Sequence, residues 1–155
     1  MKKNIDIIVA NPSGNITIFV KTPVPRSEYQ AVASQLLAME ELKGEQVAFI
    51  LEKADIPAAD GAMEMCGLEF CGNASRSFGL ILAQEAGDCG TSVRTVQVSG
   101  CDYTLQVELD MDMNSAKIRM PNPISCEKKQ ECTIVDFGGI LHIIVEDLPA
   151  SKEVF

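Results

Sequence analysis

The chain has 155 residues, enough for one domain with a sizeable core or for two very small ones. Apolar residues make up 46% and charged residues 23%, an ordinary globular balance. The formal net charge of −9 argues against a nucleic-acid partner and against an anionic membrane surface, because both need a basic face.

The first residues, MKKNIDIIVANPSG, carry two lysines, but Asp6 interrupts the apolar run and no small-residue cleavage site follows. No apolar stretch approaches membrane-spanning length. The protein is therefore expected to be cytoplasmic, with its cysteines mostly reduced. Residues 5–10 and 16–21 are β-branched apolar runs joined by the Asn-Pro-Ser-Gly-Asn cluster 11–15, which reads as a hairpin. Pro23 and Pro25 stop the second strand. From Ser27, a candidate N-cap, to about Leu42, apolar residues recur at three- and four-residue steps and predict a helix that Gly44 ends. Residues 46–52 (QVAFILE) return to strand composition. A loop over 55–61 follows, with Pro57 and the turn pair Asp60-Gly61.

Residues 62–66 alternate as a strand, and residues 73–86 form a second helix closed by Gly87. Beyond it, strands are expected at 92–99, 103–110, 116–120, 133–137 and 141–146, punctuated by Gly, Asn, Pro and Asp. Met63, Met65, Met111 and Met113 alternate with acidic residues, as in half-buried strands. Many strands and two helices, without regular βαβ alternation, indicate an α+β domain with a mixed, mostly antiparallel sheet. The second helix is apolar nearly all round, so it is expected to be buried, inside a curled, barrel-like sheet.

The stretch EFCGNASRSF, 69–78, places Cys71 directly before that buried helix. Helix N-termini depress a thiol pKa from its model value near ~8.5. The amides of Gly72, Asn73, Ala74 and Ser75 can stabilise a thiolate or cradle a substrate carboxylate. Gly72 permits close approach to the backbone, and Asn73 is a good N-cap. A base beside an anion holder is what proton abstraction α to a carboxylate needs. The same pattern also suits a buried thiol that packs as a small hydrophobe. The six cysteines contain no Cys-x-x-Cys pair, and the only histidine is His142, so no metal site is expected. Arg76 is expected to pair locally on its helix, and His142 to order backbone in an apolar strand.

CGNASRSFG resembles the CGNGxR-type motif of the diaminopimelate epimerase-like family of two-cysteine amino-acid racemases and epimerases. Ala59-Asp60-Gly61 resembles that family's ADG stretch. Ser13-Gly14-Asn15-Ile16 matches its glycine-asparagine pair between the first two strands. Residues 135–145 (VDFGGILHIIV) resemble the strand that opens its second half. These four landmarks fall in the family's order and span nearly the whole chain.

The resemblance implies cofactor-independent racemisation or epimerisation of an amino acid. Two thiols, one from each pseudo-symmetric half, flank the α-carbon; one removes the proton and the other delivers one. It implies Cys71 as one of the two, with Gly72, Asn73 and Ala74 contacting the substrate carboxylate and Asn15 contacting the substrate from the hairpin turn. The implied fold is a barrel-like sheet wrapped around a central helix. Residues 1–130 would then be an N-terminal half-domain and 131–155 the start of a second.

Ala74 and Ser77 replace the glycine and second cysteine of the CGNGARC form, Ala58 an asparagine, and Ile140-Leu141 an asparagine-proline pair. These departures point away from diaminopimelate and toward the family's broader racemases, histidine racemases among them. No second cysteine with a Cys-Gly-x-Gly flank follows Gly138, so the second thiol is expected from another half-domain or a second copy. This chain alone is then expected to be inactive. Two other readings remain open: a thiol redox enzyme using Cys71 with Cys66, which could also take the acid/base role, and a non-catalytic carboxylate-binding module.

Overall fold

A computed structural model of the chain describes residues 4–52, 58–138 and 140–146. Lys2, Lys3, loop residues 55–57, Gly139 and residues 147–155 of the expected second unit lie outside the described residues. The chain divides into two compact units after Met120.

In the first unit, β1 (Ile7–Ala10), β2 (Thr17–Val20), β3 (Gln46–Leu51), β4 (Gly61–Met65), β5 (Thr91–Val98), β6 (Leu105–Asp110) and β7 (Ser115–Ile118) form one open sheet whose spatial order repeats the chain order. β2–β3 and β4–β5 pair in parallel, and the other joints are antiparallel. The expected α+β class and mostly antiparallel sheet are therefore present. The sheet is open, with β1 and β7 as its edges.

Each parallel joint needs a crossover, and each crossover carries a helix: α1 (Tyr29–Leu37) between β2 and β3, and α2 (Gly72–Ala86) between β4 and β5. β4 runs antiparallel to β3, so strand direction has reversed between the two crossovers while the sheet advances in the same sense. Right-handed crossovers must then put the two helices on opposite faces. The core shows this separation. Ile18, Val20, Val47 and Phe49 pack with Tyr29, Ala33 and Leu36 of α1, whereas Phe19, Ala48, Met63 and Met65 pack with Ala74, Phe78 and Ile81 of α2. Every residue of β2 is fully buried because it has a helix over each face.

Several boundaries differ from expectation. α1 is shorter than the predicted 27–42. Ser27 lies in a 3₁₀ turn, Arg26–Glu28, and caps nothing with its side chain. The helix stops at Leu37, and residues 38–44 turn back so that Gln46 pairs with Thr17. Gly44 does not end the helix. It sits against Ile18, where a Cβ would approach Cδ1 to 2.4 Å. Met63 and Met65 are buried in β4, but Met111 and Met113 lie in the turn between β6 and β7, with Met113 74% exposed.

The second unit is a three-stranded antiparallel sheet of β8 (Ser125–Lys128), β9 (Thr133–Asp136) and β10 (Leu141–Ile144). β8 was not expected: its sequence SCEK has no apolar alternation, and all its residues are exposed. The expected boundary after residue 130 falls between β8 and β9.

Candidate active site

Cys71 is the N-cap of α2. Its backbone is extended (φ −131°, ψ 110°), and its Sγ accepts the Ala74 N–H at 3.4 Å. Sulfur thus occupies the place of the oxygen in an ordinary cap. The Cys71 carbonyl accepts both the Ser75 amide at 2.9 Å and the Ser75 hydroxyl at 2.7 Å. Asn73, the expected N-cap, is instead inside the first turn, where its Oδ1 accepts from Arg76 Nη2 at 2.5 Å. Arg76 therefore pairs locally, as expected. Among the described residues, the amides of Gly72 and Asn73 have no protein acceptor, as befits the first turn of a helix. Ala74 is fully buried, and its amide is engaged by the thiol. At the other end, Gly87 (φ 76°) closes the helix in the left-handed conformation.

The segment leading into Cys71 is clamped from the turn that follows β5. The Ser99 hydroxyl donates to the Glu69 carbonyl at 2.7 Å and accepts the Met65 amide at 2.9 Å. Gly100 (φ 70°) lies so close beneath that a Cβ would sit 2.3 Å from the Phe70 nitrogen. Any side chain there would push the backbone feeding the cap. On the other side, the Met120 thioether rests on Gly72, where a Cβ would come within 2.9 Å of Sδ.

A polar chain reaches the thiol from β2 and β3. Gln46 Nε2 donates to the Thr17 hydroxyl at 2.6 Å, and Gln46 Oε1 accepts from Cys71 Sγ at 3.4 Å. Thr17 is fully buried. Asn15 lies two residues before it, and its Oδ1 is buried with no hydrogen-bond partner among the described residues. An orphaned buried acceptor is costly and calls for a donor from elsewhere. Thr17, Gln46, Ser99 and Gly100 were missed at the sequence level. The available signals were slight: Thr17 and Gln46 are polar residues opening apolar strands, and Gly100 is half of a Ser-Gly turn pair.

Cys66 differs from Cys71. It packs on the α1 face of the sheet, whereas Cys71 packs on the α2 face. Burial, with a smaller contribution from the Glu69 charge, pushes the Cys66 thiol above its ordinary range, the reverse of an activated thiolate. This placement gives no support to a Cys66–Cys71 redox pair. His142, in β10, is exposed and meets Phe137 edge-on at 5.3 Å. Among the described residues no cluster of His, Cys, Asp or Glu could hold a metal ion, and no helix is long and apolar enough to cross a membrane.

Comparison with known proteins shows that the chain belongs to an amino-acid racemase family. The matching family model is that of the histidine racemase CntK N-terminal domain, over residues 4–154. A histidine racemase of Fusobacterium nucleatum subsp. nucleatum is 34% identical over 96% of this chain and 57% of its own length. A histidine racemase of Staphylococcus aureus is 37% identical over 72% of this chain and 40% of its own length. The chain thus spans about half the length of the curated relatives it matches.

Proposed function

We propose that this chain is the N-terminal half of a cofactor-independent amino-acid racemase in which Cys71 is one of two thiol acid/base groups at the substrate α-carbon. The observation that carries the reading is the position of Cys71, held as the cap of a helix packed on the sheet in a chain that belongs to the histidine racemase family. The relatives' names favour histidine as the substrate.

The chemistry follows from the groups around the sulfur. As thiolate, Cys71 takes the α-proton from one face of the amino acid, and a thiol on the opposite face delivers a proton to the carbanion. The first-turn amides of Gly72 and Asn73 hold the substrate carboxylate, where negative charge grows as the proton leaves. The Ala74 amide holds the sulfur. Asn15 Oδ1, a buried acceptor without a donor among the described residues, suits the α-ammonium group. In this reading the open sheet curls around α2 as one barrel-like half, residues 131–155 begin the other, and the second half-domain brings the second thiol.

Deuterium wash-in at the histidine α-carbon tests the proposal. The 155-residue chain alone should show no exchange with inversion, and the protein completed by its second half should show it. Cys71→Ser in the complete protein should lower the rate by about 10²–10⁴-fold, the usual worth of a positioned acid/base group. Rapid inversion by the isolated chain, or full activity of Cys71→Ser, would sink the reading.

A further inference from the structure

The Cys71 thiol must spend part of each turnover protonated and part as an anion, and a hydrogen-bond partner that suits one state opposes the other. In the structure the thiol donates to Gln46 Oε1, while Gln46 Nε2 donates to the Thr17 hydroxyl. That arrangement fits the protonated state only, because a carbonyl oxygen facing a thiolate is repulsive. A half-turn of the Gln46 amide about its last side-chain bond exchanges the two ends. Nε2–H then donates to the thiolate, and Oε1 accepts from the Thr17 hydroxyl, which can donate as well as accept. No covalent bond changes in this step, and the proton that left Cys71 stays on the substrate. Thr17 is fully buried on a strand covered on both faces, so it is a fixed pivot for both settings.

We propose that Gln46 is a positioning residue that follows the protonation state of Cys71 by an amide flip, with Thr17 as its pivot. The proposal rests on the reading of Cys71 as an acid/base group. An apolar residue at position 46 would leave both sulfur states without this partner. A glutamate would accept from the thiol but could offer nothing to the thiolate. The charged state gains more from a hydrogen bond than the neutral one, so losing the partner costs the thiolate most.

The test needs no substrate. Alkylation of Cys71 by iodoacetamide is followed against pH by mass spectrometry of the Cys71 peptide, on the full chain. Gln46→Leu should move the pH of half-maximal rate up by about one unit, a roughly tenfold slower reaction on the rising limb. Thr17→Val should move it in the same direction by less. In the unsubstituted chain, the side-chain amide ¹⁵N–¹H resonances of Gln46 should titrate with the same midpoint as alkylation, and Cys71→Ala should abolish that titration. Flat Gln46 resonances through the alkylation midpoint would overturn the flip, whether or not the variants fold. So would superimposable alkylation curves for the wild type and a folded Gln46→Leu. Full activity of Cys71→Ser in the complete racemase would instead remove the acid/base reading, so the two failures are distinguishable.

Discussion

Glu64 is a carboxylate with 7% of its surface exposed in the middle of a strand, and its neighbours explain why it stays charged. Arg26 meets it along one guanidinium edge, Nε at 2.9 Å from Oε2 and Nη2 on Oε1, and the Tyr29 hydroxyl donates to Oε2 at 3.1 Å. The Arg26 hydrogen bonds hold its carboxyl below the ordinary range against the opposing effect of burial, and Tyr29 helps. A depressed folded pKa stabilises the fold above the ordinary carboxylate range near 4.5, and that stability is lost as pH falls through the depressed value. Urea midpoints measured from pH 6 downward should therefore fall more steeply for the wild type than for Glu64→Gln. Tyr29 behaves oppositely, pushed up from 10.0 to about 12 by burial first and the Glu64 hydrogen bond second. Its contribution is whole below pH 10 and is lost as pH rises through about 12, so Tyr29→Phe should flatten the alkaline limb. The alternation of Met63 and Met65 around Glu64 was legible in the sequence because period two is local. The ion pair was not, because Arg26 lies 38 residues away and meets Glu64 only across the sheet.

At the scale of elements, α2 was the most legible part of the chain. Its apolar residues predict burial, and Ala74, Phe78, Ile81 and Ala83 do pack into the core while Gln84, Glu85 and Ala86 stay exposed; Gly87 marks its end in sequence and structure alike. Its start is less legible: asparagine is a common cap and cysteine is not, so composition places the cap two residues late. Gly79 shows how closely the helix approaches the sheet, since a Cβ there would sit 2.7 Å from Val107 Cγ1. Gly79→Ala should destabilise the chain by about 1–3 kcal/mol through overpacking, outweighing the gain in helix propensity, as measured by chemical denaturation. An equal or higher midpoint for that variant would show that β6 gives way freely. β8 was missed for the opposite reason. A strand whose residues all face solvent carries no periodic signal, and only its pairing with β9 defines it.

At the scale of the whole molecule, composition and motif order identified the fold class and the family, but not which strand lies beside which. Residues Thr17 and Gln46 become neighbours only through the parallel pairing of β2 with β3, so half of the thiol's surroundings was invisible in the sequence. The second unit leaves Leu141 and Ile143 of its edge strand β10 each 63% exposed. An apolar edge strand favours association between chains. Sedimentation of the 155-residue chain should show concentration-dependent association that Leu141→Lys with Ile143→Lys reduces, with the melting temperature little changed. The first sheet carries a different consequence in its order. Because neighbours in space are neighbours in sequence from β1 to β7, each strand leaving the ribosome finds its docking edge already made. Loop closure is then short everywhere except across the two helix-bearing crossovers, so the rate of folding should be set by how fast α1 and α2 seat on their opposite faces.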